Sequence, residues 1–247
     1  MLLTILACVT SGILSLLFAS ALAFRIREKW LSLMVAFSAG VLLASTFLNL
    51  LPEAIELAPD DSQRLFITLL LGVLGFFLLQ KFSIWRHSHD QFESLKSFDR
   101  SIVLNIIIGD AFHNFVDGVL IAASFLVDPW VGLVTTIAVF THEIPQELGD
   151  FIILLNAGIS KSNAFLLNGL SSLASITGGI LGYIALEQSQ SVIPYVLMLS
   201  ASSFLYIALT DLFPMMQTRY SGDGFVKQLS FMSIGIGIIF TIGFYLH

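Results

Sequence analysis

Residues 142–150 read HEIPQELGD, inside the longer run VGLVTTIAVF-THEIPQELGD-FIILLNAG (131–158). Three carboxylates, a histidine, a glutamine and a proline interrupt a stretch that is otherwise apolar. The surroundings explain how unusual that load is. The chain has 247 residues, 56% hydrophobic and 11% charged, with mean hydropathy +0.90. A soluble domain carries about 25% charged residues. The apolar residues fall in eight blocks, about 2–24, 30–52, 65–84, 101–126, 130–156, 162–186, 192–216 and 227–246. Each is near the ~20 residues that cross a bilayer as a helix. The connections are short, so the expectation is an all-α membrane protein of eight transmembrane helices, a single polytopic domain over residues 1–247.

The first block resembles a signal peptide at "ASALAF". It is expected to be a retained helix, because no Lys or Arg precedes it, its apolar run is too long, and Arg25, Arg27 and Lys29 follow it. Ten of the eleven basic residues lie after the first, third, fifth and seventh spans: Arg25, Arg27, Lys29, Lys81, Arg86, Lys96, Arg100, Lys161, Arg219 and Lys227. Only Arg64 lies on the opposite side. By the positive-inside rule the odd-numbered loops are cytoplasmic and both termini outside. A lone Cys8 excludes a disulfide framework and a thiolate metal cage.

Six acidic residues fall within spans: Asp110, Asp117, Glu143, Glu147, Asp150 and Asp211. Lys and Arg are absent from the depth of every span. Ionisable groups in lipid are costly and mark pathways. Unpaired acids there call for protons or metal cations as the positive charge. Net charge −6 makes nucleic acid an implausible partner.

The fourth span carries GDAFHNFVDG (109–118). Asp110, His113, Asn114 and Asp117 lie within about 100° of one another on a helix surface. In the fifth span His142 and Gln146 are one turn apart, with Glu143, Glu147 and Asp150 on the same broad face. Facing each other, the two helices would assemble nitrogen and oxygen ligands without sulfur, suited to Zn²⁺, Fe²⁺, Mn²⁺ or a similar divalent ion. Pro145 cannot donate a backbone hydrogen bond and clashes with the carbonyl of Thr141. A kink or opening is expected there, with that carbonyl turned to a cavity. A single histidine, asparagine or proline in a span is ordinarily packing or interhelical glue. Nine polar residues facing one way on adjacent helices are not.

A repeat is also visible. FSAGVLLASTFLNLLPE (37–53) and LSASSFLYIALTDLFPM (199–215) match at a shift of 162, pairing Ser38 with Ser200, Asn49 with Asp211 and Pro52 with Pro214. The two spans run in opposite directions, so helices 1–3 and 6–8 form an inverted repeat around helices 4 and 5, a transporter feature.

HNFVDG followed by HEIPQELGD resembles the ZIP (Zrt-, Irt-like protein) family of divalent-metal transporters, in the branch whose fifth helix reads HEIPHELGD. FLNLLPEA in the second span and FLYIALTDLFP in the seventh extend the likeness along the chain. The resemblance implies metal bound between helices 4 and 5 by His113, Asp117, His142 and Gln146, with Asn114 and Glu143 on an adjoining position. It implies movement of metal into the cytoplasm, a homodimer, and helices 1, 4, 5 and 6 shifting against 2, 3, 7 and 8. Zinc or a similar ion is then substrate, with no cofactor. Asn49, Glu53, Asp110, Glu147, Asp150 and Asp211 are further candidates along the pathway. The chain departs from the branch at Gln146 and Asn49, where histidines are expected. Its sixth span offers Asn168, Ser171, Ser172 and Ser175 on one stripe but no carboxylate. The loop after the third span shrinks to WRHSHDQF, with His87 and His89. Gly178, Gly179 and Gly182 are expected at a contact that slides during transport.

Two other readings compete. HEIPQ resembles the HExxH helix of zinc proteases, which would make the chain an intramembrane metal-dependent hydrolase. Gln146 in place of the second histidine, and Pro145 within the turn, oppose it. A metal sensor would need a soluble output domain, and no block of the sequence supplies one.

Overall fold

Each apolar block folds as a helix in the computed structural model, which describes residues 1–23, 28–90, 100–217 and 222–246. They are α1 (Leu2–Leu22), α2 (Glu28–Ser45), α3 (Ser62–Asp90), α4 (Arg100–Val127), α5 (Pro129–Asn156), α6 (Lys161–Glu187), α7 (Ile193–Ile207) and α8 (Gly222–Leu246). Two of them run on past a π-helical turn. α2 continues through Thr46–Leu50 into Leu51–Leu57, and α7 through Ala208–Leu212 into Phe213–Gln217. The described residues contain no strand.

Local chemistry sets several boundaries. Asp128 caps α5, its Oδ1 accepting from the Trp130 amide at 2.7 Å, and Pro129 occupies the first turn where no N–H is needed. α5 ends at Gly158, whose φ of 83° suits a residue without a Cβ, while the Ile159 amide reaches back to the Leu154 carbonyl at 3.0 Å. Ser160 then opens α6 by accepting from the Asn163 amide.

Seven helices among the described residues are long and apolar enough to cross a membrane. The helix not among them, α5, has 28 residues, and the polar load of residues 142–150 is what lowers its hydropathy. It is also enclosed: Thr141 to Pro145, Glu147 and Leu148 are all buried. The chain is therefore an all-α membrane protein. His87 and His89, expected in a loop, belong instead to the helical end of α3, which continues to Asp90. Among the basic residues that suggest orientation, Arg25, Arg27, Lys96 and Arg219 lie outside the described residues, as do the side chains of Lys29, Arg86, Arg100, His87 and His89.

Small residues let the helices touch backbone to backbone. A Cβ on Gly118 of α4 would strike the Ser175 carbonyl of α6. One on Gly178 would strike the Phe115 carbonyl, and one on Gly182 would meet Val119. Gly179 faces Cys8 of α1. These glycines thus bind α1, α4 and α6 together. The contact at which Gly178, Gly179 and Gly182 are expected to slide is therefore one with α1 and α4.

The repeat has structural counterparts. The π turns at 46–50 and 208–212 are 162 residues apart, the same shift that aligns the sequences. Gly40 of α2 packs on the Met232 carbonyl of α8, and its counterpart Ser202 of α7 packs on Gly72 of α3. The π-turn helix of each half therefore packs on the outer helix of the other half, α2 on α8 and α7 on α3, at the matching position.

Candidate functional site

α4 and α5 are antiparallel neighbours joined at Asp128, and their polar faces meet. Asp117 lies one turn beyond His113 on α4, and His142 and Glu143 are consecutive on α5. Each of these four offers one ligand atom, and the four atoms lie within 4.8 Å of one another. The two imidazoles approach Nε2 to Nε2 at 3.2 Å, with their rings at 74°. Asp117 Oδ2 is 3.1 Å from His142 Nε2 and 3.6 Å from His113 Nε2. Glu143 Oε1 is 3.7 Å from both.

Hydrogen bonding fixes which nitrogen of His142 faces the cluster. Its Nδ1 lies 2.9 Å from the Ala138 carbonyl, which can only accept, so the proton sits on Nδ1. The Nε2 lone pair is left facing His113, Asp117 and Glu143. A backbone carbonyl on the far nitrogen is the usual support of a metal-binding imidazole. Phe204 of α7 closes the other side of the ring, with centroids 5.8 Å apart.

Both oxygens of Asp117 and both of Glu143 are buried without a hydrogen-bond partner. Two such carboxylates in a low-dielectric interior are expensive to keep. A divalent cation matches them: two carboxylates and two neutral imidazoles around a 2+ ion give a neutral assembly.

The remaining sequence candidates are distributed around this cluster. Asn114 and Gln146 turn their amide nitrogens away from it, to Asp110 Oδ1, at 3.0 and 3.2 Å. Asp110 Oδ2 also meets the Ser171 hydroxyl of α6. Glu147 is buried, its Oε1 accepting from Ser172 at 2.6 Å and its carbonyl accepting from Asn168. Asp150 follows one turn later, partly buried. Asn49 and Glu53 lie apart from these, in a cleft between α2 and α8 that they share with Glu56, Ile239 and Phe240. Asp211 is exposed on the π turn of α7, next to Thr210.

α5 passes through Pro145 as continuous helix, so the expected opening is absent. The Thr141 carbonyl freed by Pro145 does not face a cavity. It accepts a hydrogen bond from Ser38 of α2 at 2.6 Å. The sequence signals the orphaned carbonyl through Pro145, but nothing in it names Ser38 as the donor. Ala138 and Phe204, which orient His142, were likewise unreadable, since a backbone acceptor and an aromatic wall leave no mark in the motif.

A family model for the ZIP zinc transporter matches residues 1–100 and 85–243. The chain belongs to the ZIP zinc transporter family. This ZIP chain is 43% identical over 141 residues to "Zinc transporter foi" of Drosophila melanogaster, a match covering 57% of the chain and 20% of that protein. It is 30% identical over 241 residues to "Zinc transporter YKE4" of Saccharomyces cerevisiae, covering 87% and 69%. It is 32% identical over 221 residues to "Zinc transporter ZIP13" of Pongo abelii, covering 83% and 65%. The ZIP chain spans about a fifth of the length of the first curated relatives it matches.

Proposed function

We propose that this ZIP chain carries divalent metal cations, zinc foremost, across a membrane into the cytoplasm, through a site between α4 and α5. His113, Asp117, His142 and Glu143 hold the ion as it passes, and Asn114 and Gln146 adjoin it. The observation that carries the reading is the convergence of two imidazole nitrogens and two carboxylates without hydrogen-bond partners on one point. The names of the relatives favour zinc as substrate. The donor set also accepts Fe²⁺, Mn²⁺ or Cd²⁺. The inward direction and the homodimer rest on the family resemblance. The hydrolase reading lapses with membership of a transporter family, and the glutamine at position 146 already breaks its motif.

The test is uptake by proteoliposomes holding the full chain, with Zn²⁺, Cd²⁺, Fe²⁺ and Mn²⁺ offered in competition. Zn²⁺ is expected to accumulate and to be the strongest competitor. Metal-dependent peptide cleavage without uptake would overturn the proposal.

A further inference from the structure

Asp110 lies one turn before the metal-type cluster and belongs to none of its contacts. It is 5% exposed, yet its carboxylate is the meeting point of three helices. Asn114 of α4 donates Nδ2 to Oδ1 at 3.0 Å, and also to the Asp110 carbonyl at 3.1 Å. Gln146 of α5 donates Nε2 to the same Oδ1 at 3.2 Å. Ser171 of α6 presents its hydroxyl to Oδ2. An ionised carboxylate accepts and cannot donate. Each amide beside Asp110 must therefore show it the NH₂ side, which turns the amide oxygen the other way. Neither amide oxygen accepts a hydrogen bond from the described residues.

Asn114 is the immediate neighbour of His113, and Gln146 stands one turn from His142. An amide turned one way offers a cation a neutral oxygen. Turned the other way it offers an NH₂ group that repels the cation. We propose that Asp110 is a positioning residue for the transport site: it locks the Asn114 and Gln146 amides so that both present oxygen to the passing ion. This rests on the reading of the α4–α5 cluster as that site. The consequence is selectivity. Two neutral oxygens added to His113, Asp117, His142 and Glu143 broaden the site toward harder divalent ions such as Mn²⁺, which prefer oxygen to nitrogen.

Asp110→Asn keeps the shape and removes the obligate acceptor, since an asparagine can show either group to its neighbours. Groups that orient metal ligands are worth about 10–100-fold in affinity. Reconstituted Asp110→Asn is therefore expected to bind Mn²⁺ about 10-fold more weakly, with a smaller loss for Zn²⁺, and to alter the visible absorption of bound Co²⁺. On an Asn114→Ala/Gln146→Ala background the same substitution is expected to change neither, because the groups through which Asp110 acts are gone. A wild-type Co²⁺ spectrum and Mn²⁺/Zn²⁺ ratio in Asp110→Asn would overturn the proposal. So would an effect of equal size on the amide-free background, which marks Asp110 as merely structural. If Asp110→Asn does not fold, Gln146→Ala and Asn114→Ala carry the test, each being expected to lower the Mn²⁺/Zn²⁺ affinity ratio. An unchanged ratio in both overturns it. His142→Ala separates the two levels: unaltered binding there removes the site itself, whereas lost binding there with a wild-type Asp110→Asn removes only the positioning role.

Discussion

His142 has one ring nitrogen committed to the Ala138 carbonyl and the other facing His113, Asp117 and Glu143. On the proposed site, replacing it, His113 or Asp117 with alanine deletes a ligand outright. Metal affinity and uptake are expected to fall by at least about 10-fold, more than the loss of a supporting group typically costs, with insertion and detergent stability retained. Equilibrium binding and uptake on the same preparation check this, and near-normal uptake by well-folded His142→Ala would contradict it. Protons compete with metal for imidazole and carboxylate ligands, so binding weakens as pH falls and tightens as it rises. Titrations between about pH 7.5 and about pH 5.5, across the ordinary histidine range, are expected to show that slope, and His142→Ala should flatten it. Gln146→His places a second imidazole one turn from His142. Tighter Zn²⁺ binding is expected, with a lower half-saturation concentration and, where release limits the cycle, a lower maximal rate. Unchanged affinity would mean that position 146 does not reach the ion.

At the scale of the helix, α5 accommodates a mid-span proline by borrowing a donor from another helix. The lost N–H of Pro145 leaves the Thr141 carbonyl free, and the Ser38 hydroxyl of α2 takes it. Interhelical hydrogen bonds in membranes are worth about 0.6 kcal/mol on average and up to about 1.7. Ser38→Ala is expected to lower stability by an amount in that range, and, because it loosens α2 from α5, to change uptake rate more than metal affinity. Thermal unfolding in detergent and uptake kinetics read the two effects separately. Gly178 is a stricter case. A side chain there would run into the Phe115 backbone of α4, which has no cheap way to move. Gly178→Leu is expected to cost at least the ~1–3 kcal/mol of an overpacked core and to lose binding and transport together. Gly75→Ala of α3, where an added Cβ meets nothing within 4 Å, serves as the neutral control in the same unfolding assay.

At the scale of the whole molecule, two three-helix halves flank the α4–α5 pair. The π-turn helix of each half packs on a helix of the other half through one small residue, α2 on α8 through Gly40 and α7 on α3 through Ser202. The proposed orientation, odd-numbered loops cytoplasmic, rests on the charge asymmetry of the loops. Asp60→Cys and Gln188→Cys, both at exposed turns, are expected to react with a membrane-impermeant thiol reagent on intact cells. Lys161→Cys is expected to react only after permeabilisation. The reverse pattern would invert the topology and, with it, the direction of metal movement.

The eight helices and the polar face shared by α4 and α5 were legible in the sequence, whereas the family resemblance grouped Gln146 with His113, Asp117 and His142 and set Glu143 on an adjoining position. Apolar block length and a 3.6-residue period are local properties, and the bilayer leaves few ways to satisfy them. The repeat was legible for the same reason: helices 2 and 7 keep the same small and polar positions because both solve the same packing problem. Tertiary structure alone decided which donors meet which acceptors. Ser38 and Thr141 are 103 residues apart, and Asp110 and Ser171 are 61 apart. No periodicity within one helix encodes the rotation and depth at which another helix meets it. That rotation set Glu143 beside the two imidazoles, gave the Asn114 and Gln146 amides to Asp110, and placed the glycines of α6 against α4.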